Sequence, residues 1–424
     1  MRAKCGRRFD ESCRFLGNDV RISLALWIAL IGAVTVRVAV SKPTSQSVVP
    51  IYRAAGERWN AGESLYDPAP PLDVFRYPPG VAALFATFSN LPEIPAAIAW
   101  RLSCATIFLI GLWRFARVVN RDAFPFIAAL SAPLVLGSFN NGQVNIAIIG
   151  FVMLGVADAA GTKWTRSAIW LALAAGLKLY PLAAGLLVVL LFPRSLSWRL
   201  AIATGAVFAI PFALNDPSYV WQQQCELVEW MKRDDRLHTW ALERAPRDWT
   251  VLSRTWLGWV PSTVSVRLTA ALSGIAFAGL VWFSKRRNGV ERTLPIVVVL
   301  SGIWMTLFGP ATESVTYCLI APGAAWLVAT NRGWIRGLAT TGYLLHFSAV
   351  ICHAFPQSWR YTLLGPQAAG TIVLLIATVW RVMAKEMKPN QERELWAIVE
   401  GRIATTIRAA KIFDSSPIAT RTSD

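Results

Sequence analysis

Charge is scarce in this chain. Only 16% of its 424 residues are Asp, Glu, Lys or Arg, and there are 3 histidines. That excludes a soluble two-domain enzyme. Mean hydropathy is +0.43, 54% of residues are hydrophobic, and apolar runs recur from Ile22 to Met383. This is the composition of an all-α polytopic membrane protein. The cysteines, at positions 5, 13, 104, 225, 318 and 352, are too scattered for a disulfide framework or a zinc site and read as small apolar filler. His346 and His353 are isolated and form no catalytic arrangement. The chain has no Asp-x-Asp, no internal repeat and no low-complexity linker.

What charge there is has a strong sign, +17 net. A basic excess can signal nucleic acid, but its placement excludes that partner here. Arg2, Lys4, Arg7, Arg8, Arg14 and Arg21 precede the first apolar run, and Lys285, Arg286, Arg287 and Arg292 separate two later ones. Lys385, Lys388, Arg393, Arg402, Arg408 and Lys411 follow the last. Cations gathered in short inter-span segments follow the positive-inside pattern, with both termini cytoplasmic. Ile22–Val40 is long for a signal-peptide core and lacks a small-residue cleavage site, so it reads as a retained span.

The polarity pattern predicts a cytoplasmic N-terminus over 1–21 and a membrane module over 22–383. A cytoplasmic tail over 384–424 follows, where Trp396, Val399, Ile403, Ile407 and Ala410 share one helical face, which fits either an amphipathic helix on the membrane surface or an ordinary helix packed on the protein. The module has about twelve crossings, with outer loops over about 41–78 and 215–263. In the first outer loop a short helix over Ala54–Trp59 stops at Asn60-Ala61-Gly62. Val81–Leu91 is too short to cross and reads as re-entrant or interfacial. Spans near 265–284 and 293–308 flank the basic segment at Lys285–Arg292.

Leu177-Lys178-Leu179-Tyr180-Pro181 interrupts an apolar run from Ala168 to Phe192. A cation at a membrane helix centre costs about 2.5–3.5 kcal/mol, and an internal proline breaks the backbone ladder. Basic residues flank the run on both sides, Lys163/Arg166 and Arg194/Arg199, so it reads as a hairpin of two short helices, 165–178 and 179–193. Lys178 then lies at the outer tip. The same threading puts Tyr52, Glu57, Asp67, Asp73, Arg76, Tyr77, Gln143, Asn145, Tyr180, the 215–263 loop and Glu313 on that side. The loop's tryptophans, among them Trp230 and Trp240, fit an interfacial belt or a stacking surface for sugar rings. Its Arg233–His238 run reads as a solvated charged face.

Tyr52-x-x-Ala-Gly, then Gly62-x-x-Leu65-Tyr66-Asp67-Pro68 and Arg76-Tyr77-Pro78-Pro79, resemble the first outer loop of glycosyltransferase family 87. So do Gly142-Gln143-Val144-Asn145 and Gly176-Leu177-Lys178-Leu179-Tyr180-Pro181. Gly309–Ser314 and Tyr317 resemble a later loop more weakly. The resemblance implies a GT-C-like fold and hexosyl transfer, with mannose as the expected sugar. The implied partners are a polyprenyl-phosphate-linked sugar donor, a lipid or glycan acceptor, and membrane lipids.

A phosphate leaving group needs a cation and N–H donors, not an obligatory metal, so no cofactor is implied. Lys178 and Arg76 are the candidates to meet it; Tyr52, Tyr77, Gln143, Asn145 and Tyr180 complete the expected binding set. The family's presumed base is an aspartate four residues before Tyr52, and here that position is Val48. Asp67, Glu57, Asp73 and Glu313 are the candidate replacements, unranked. The missing acid leaves two alternatives open: a flippase for a lipid-linked saccharide, and an inactive polyprenyl-phosphate-binding relative.

Overall fold

The computed structural model describes residues 2–41, 47–68, 72–310, 312–353, 355 and 359–384; of residues 2–19, 353 and 359 it describes only the backbone. Residues Met1–Val382 form one compact unit and Met383–Asp424 a second. The tail helix expected around Trp396–Ala410 lies outside the described residues.

Every regular element among the described residues is helical. Six helices are long and apolar enough to cross a membrane: Val20–Val40, Glu93–Val119, Arg121–Asn141, Pro193–Leu214, Thr263–Leu307 and Pro366–Met383. Shorter apolar helices, Pro79–Ser89, Asn145–Ala160, Leu182–Leu191 and Ser314–Thr330, complete the bundle. The protein is therefore a multi-pass membrane protein. The basic N-terminal stretch, expected as a separate segment, runs without a break into the first span as one helix, Arg2–Val40. No proline interrupts it, and it stops where Ser41-Lys42-Pro43 begins.

Thr263–Leu307 is two arms folded back on each other. Gly289 sits at φ 81°, a left-handed conformation that glycine adopts without a Cβ penalty. Trp304 Nε1 donates to the Ala270 carbonyl at 3.1 Å across a separation of 34 residues, a span of about 51 Å in a straight helix. Ser284 and Thr293 hydroxyls close the turn at 2.9 Å. Lys285, Arg286, Arg287 and Arg292 crowd that turn, where the sequence places the boundary between two spans.

The Lys178 hairpin also forms, as helices Trp164–Leu177 and Leu182–Leu191. Trp164 and Phe192, at its two outer ends, pack with ring centroids 4.8 Å apart. The arms therefore return to one side, bringing the Lys163/Arg166 and Arg194/Arg199 flanks together. Lys178 stands at the opposite end.

Helix Asn145–Ala160 is buried along almost its whole length, as expected of a segment apolar on every face. It packs against Glu93–Val119 and Trp164–Leu177. Its ionisable group lies at one end, where fully buried Asp158 accepts from Arg114 at 2.5 Å and Trp170 Nε1 at 2.9 Å and pairs with Arg166 at 3.5 Å. Its other end carries Asn145, at the site below.

Candidate active site

The hairpin tip opens onto a cavity of about 420 Å³. Besides the tip, five stretches far apart in sequence wall it: the start of helix Val49–Ala61 with the loop leading to Pro79, Gln143, the segment from Leu227 to Thr250, Thr263 with Val266 and Arg267, and Pro310 with Glu313 and Thr316. The expected stop at Gly62 is observed, with its N–H turned back to the Arg58 and Trp59 carbonyls.

Helix Trp164–Leu177 ends at Lys178, which is extended, φ −153°, ψ 148°, and Pro181, three residues on, disfavours helix at Tyr180 before it. Its ammonium donates to Asn145 Oδ1 at 3.0 Å, and the Tyr180 hydroxyl donates to the same oxygen at 3.1 Å. The Tyr77 and Tyr180 rings lie 5.2 and 5.6 Å from Nζ, a cation–π cradle. Asn145 Nδ2 donates to Gln143 Oε1 and, at 3.4 Å, to Thr316 Oγ1. Gln143 Nε2 donates to Glu313 Oε2 at 2.6 Å. Both amides are buried, where an unmatched polar group would cost about 1–3 kcal/mol.

Lys178, Arg76, Tyr77, Gln143 and Tyr180 line the cavity, as do Asp73 and Glu313. Tyr52 and Asn145 stand one layer behind: the Tyr52 hydroxyl donates to the Tyr77 hydroxyl at 2.9 Å. Glu57 and Asp67 are not among the lining residues. Glu57 pairs loosely with Arg53 at 3.9 Å, and the Asp67 main-chain carbonyl accepts from Arg58 at 2.7 Å.

Asp73 and Glu313 differ as candidate bases. Asp73 holds Arg76 with both oxygens, at 2.5 and 2.8 Å. Burial works to raise its carboxyl, but the Arg76 hydrogen bonds and charge outweigh it and hold the group below the ordinary range. Glu313 is 51% exposed, with one oxygen on Gln143 and the other 4.0 Å from Arg236 Nη1. Val48 lines the same cavity, so the position of the expected aspartate is a hydrocarbon part of the wall. Its backbone is held in place: Val48 N–H donates to the Asn141 carbonyl at 3.1 Å. Beside it, buried Arg101 donates to Ser47 Oγ at 3.0 Å and to the Asn140 carbonyl at 2.8 Å.

Two functional candidates, Arg236 and Asp248, escaped the sequence reading, and for Trp230 it left a belt and a stacking surface both open. Arg236, expected on a solvated face, is only 12% exposed and lines the cavity beside Asp234. Trp230 lines it too, and the Arg76 guanidinium lies 5.2 Å from the Trp230 ring and 5.7 Å from Trp240. Asp248 is the N-cap of helix Trp249–Trp256, accepting from Thr250 N and Oγ1 at 2.8 and 2.6 Å. Burial pushes its carboxyl up to about 6, against the Thr250 hydrogen bonds and the Arg236 charge. The signal available in the sequence was the cap spacing Asp248-x-Thr250.

These features define a class: a multi-pass membrane protein with a cation-bearing polar cavity at the tip of a broken-helix hairpin. Residues 75–241 match glycosyltransferase family 87, so the resemblance seen in the sequence holds over the region containing Arg76, Tyr77, Gln143, Lys178 and Arg236. A curated relative is the polyprenol-phosphate-mannose-dependent alpha-(1-2)-phosphatidylinositol pentamannoside mannosyltransferase of Mycolicibacterium smegmatis. It is 23% identical over 361 residues, covering 78% of this chain and 82% of the relative. Two crystal structures of ArnT from Cupriavidus metallidurans are more distant likenesses. The undecaprenyl-phosphate-bound form aligns at TM-score 0.39 and 13% identity, covering 87% of this chain and 76% of that one. The apo form aligns at 0.42 and 12%, covering 88% and 77%.

Proposed function

We propose that the protein transfers a sugar, mannose by analogy with its curated relative, from polyprenyl phosphate to an acceptor hydroxyl in this cavity, at the outer face of the membrane. The observation that carries the reading is that Lys178 and Glu313 face one cavity, joined through Asn145 and Gln143. A cation and a carboxylate so placed divide the work of the reaction between them.

The acceptor oxygen bonds to the anomeric carbon as the carbon–oxygen bond to phosphate breaks. The bonding pair leaves with the phosphate, whose charge Lys178 neutralises, with the Asp73-paired Arg76 beside it in the cavity wall. The acceptor's proton passes to Glu313, the better-placed carboxylate because both Asp73 oxygens are committed to Arg76. Attack opposite the leaving group inverts the anomeric centre. Tyr77, Gln143 and Tyr180 are in position to hold sugar hydroxyls, and Trp230 offers a ring face to the sugar's C–H surface. Both termini are cytoplasmic in this reading, and the membrane is the bacterial plasma membrane.

A flippase is the second reading, favoured by Val48 alone. Protein reconstituted in proteoliposomes with radiolabelled polyprenyl-phosphate mannose and a lipid acceptor extract separates the two. Appearance of free polyprenyl phosphate and a mannosylated product supports transfer. Movement of intact donor between leaflets, with no consumption, overturns it.

A further inference from the structure

The cavity's arginines differ in what their hydrogen-bond donors do. Arg76 gives both terminal nitrogens to Asp73. Arg236 gives only Nε, to Asp234 Oδ2 at 3.0 Å. Among the described residues, neither of its terminal nitrogens has a hydrogen-bond acceptor; Glu313 Oε1 stands 4.0 Å from Nη1, beyond hydrogen-bond length. The group is nonetheless only 12% exposed, with its guanidinium 5.5 Å from the Trp240 ring. A planar cation held by one edge, set against an aromatic face and leaving its other edge open to the cavity is arranged for a bidentate oxyanion. Lys178 and Glu313 line the same cavity, so an anion bound there comes within reach of all three.

We propose that Arg236 is a shared cation: with the cavity empty it faces Glu313, and when the donor binds it takes the lipid phosphate oxygens in its open fork and releases Glu313 for the acceptor's proton. The inference rests on the lipid-phosphate reading of the cavity and adds a residue and an order of events to it. Asp234 keeps the guanidinium in place through the exchange, because its bond is to Nε on the edge away from the open fork. Donor binding then both neutralises the leaving group and frees the Glu313 oxygen that Arg236 had faced at 4.0 Å.

The test is equilibrium binding of radiolabelled undecaprenyl phosphate to the full-length protein in nanodiscs. Wild type, Arg236→Gln, Arg236→Lys, Glu313→Gln and the Arg236→Gln/Glu313→Gln double variant are compared. Loss of a charge-assisted fork should weaken binding by Arg236→Gln about 10–100-fold, while Arg236→Lys, which keeps the charge but not the fork, should recover only part of that loss. Glu313→Gln should tighten binding about 3–10-fold by removing a competitor for Arg236, and that gain should vanish in the double variant. Wild-type affinity in Arg236→Gln, equal weakening by Gln and Lys, or a Glu313→Gln gain that persists in the double variant each overturns the shared-cation role. Failure of the wild type itself to bind the lipid overturns the lipid-phosphate reading on which it rests.

Discussion

Lys178 and Glu313 stand at opposite ends of a hydrogen-bonded chain whose intermediates are Asn145 and Gln143. The two ends dictate the polarity of the whole. An ammonium only donates and a carboxylate only accepts, so Asn145 must turn its oxygen to Lys178 and its nitrogen to Gln143, which repeats the pattern toward Glu313. A change of charge at either end leaves a buried amide facing the wrong partner.

Lys178→Ala should lower sugar transfer by about 10²–10³-fold, the scale seen when a preorganised donor to a developing oxyanion is removed. Lys178→Arg keeps the charge but brings a planar fork to a site built for a point cation, and should recover only part of the loss. Turnover of labelled polyprenyl-phosphate mannose by purified variants measures both. Wild-type rates in Lys178→Ala would remove the cation from the mechanism.

Glu313→Gln should cost about 10²–10⁴-fold in turnover, the usual contribution of a general base. Asp67→Asn and Glu57→Gln, outside the cavity lining, should stay within about 3-fold, and Asp73→Asn should act chiefly by releasing Arg76. Val48→Asp introduces a carboxylate on the cavity wall, so Val48→Asp/Glu313→Gln should turn over faster than Glu313→Gln alone. A double variant as slow as the single one would show that position 48 no longer faces the reacting hydroxyl.

Asp248 gives a pH signature of its own. Its folded-state carboxyl lies at about 6, above an unfolded value near 3.8. The native state therefore holds the extra proton between those values, and stability from this group is present at low pH and falls as pH rises through the window. The full excursion is about 3 kcal/mol. Asp248→Asn keeps the cap on Thr250 but cannot ionise. The variant's melting temperature relative to wild type should therefore be higher at pH 7.5 than at pH 4.5, read by fluorescence-detected unfolding in detergent. A difference that does not change with pH would place the Asp248 carboxyl in the ordinary range.

The hairpin fixes a topological outcome. With native cysteines replaced, cysteine at Leu179 should react with an impermeant maleimide from outside intact cells, and cysteine at Arg194 only after permeabilisation. Reaction of position 179 from the cytosolic side would invert the whole assignment.

Much of the fold could be read from the chain because its determinants are local. Gly289 among basic residues, Lys178 through Pro181 between basic flanks, and the Gly62 stop each mark a turn within a few residues of themselves. The cavity wall was legible only in part. Lys178, Gln143 and Glu313 stood out as polar groups in apolar or motif-bearing surroundings. Arg236 did not, because a run of charges looks solvated until the chain returns at Glu313 and Trp240 closes over it, and no local pattern encodes that return. Glu57 and Asp67 failed to reach the cavity for the converse reason: sequence places them in the right loop but does not say which way the loop faces.

The arms of the Lys178 hairpin are short. Its 14-residue and 10-residue helices rise only about 21 and 15 Å, whereas the hydrocarbon layer is about 30 Å deep. In the topology we propose, a hairpin that starts at the cytoplasmic boundary turns back before reaching the other, which leaves its lysine in a recess beneath the headgroup plane. Under the proposed function, a prenyl chain would then stay in oil while its anionic end dips sideways into that recess, sparing the carrier from being lifted out of the bilayer.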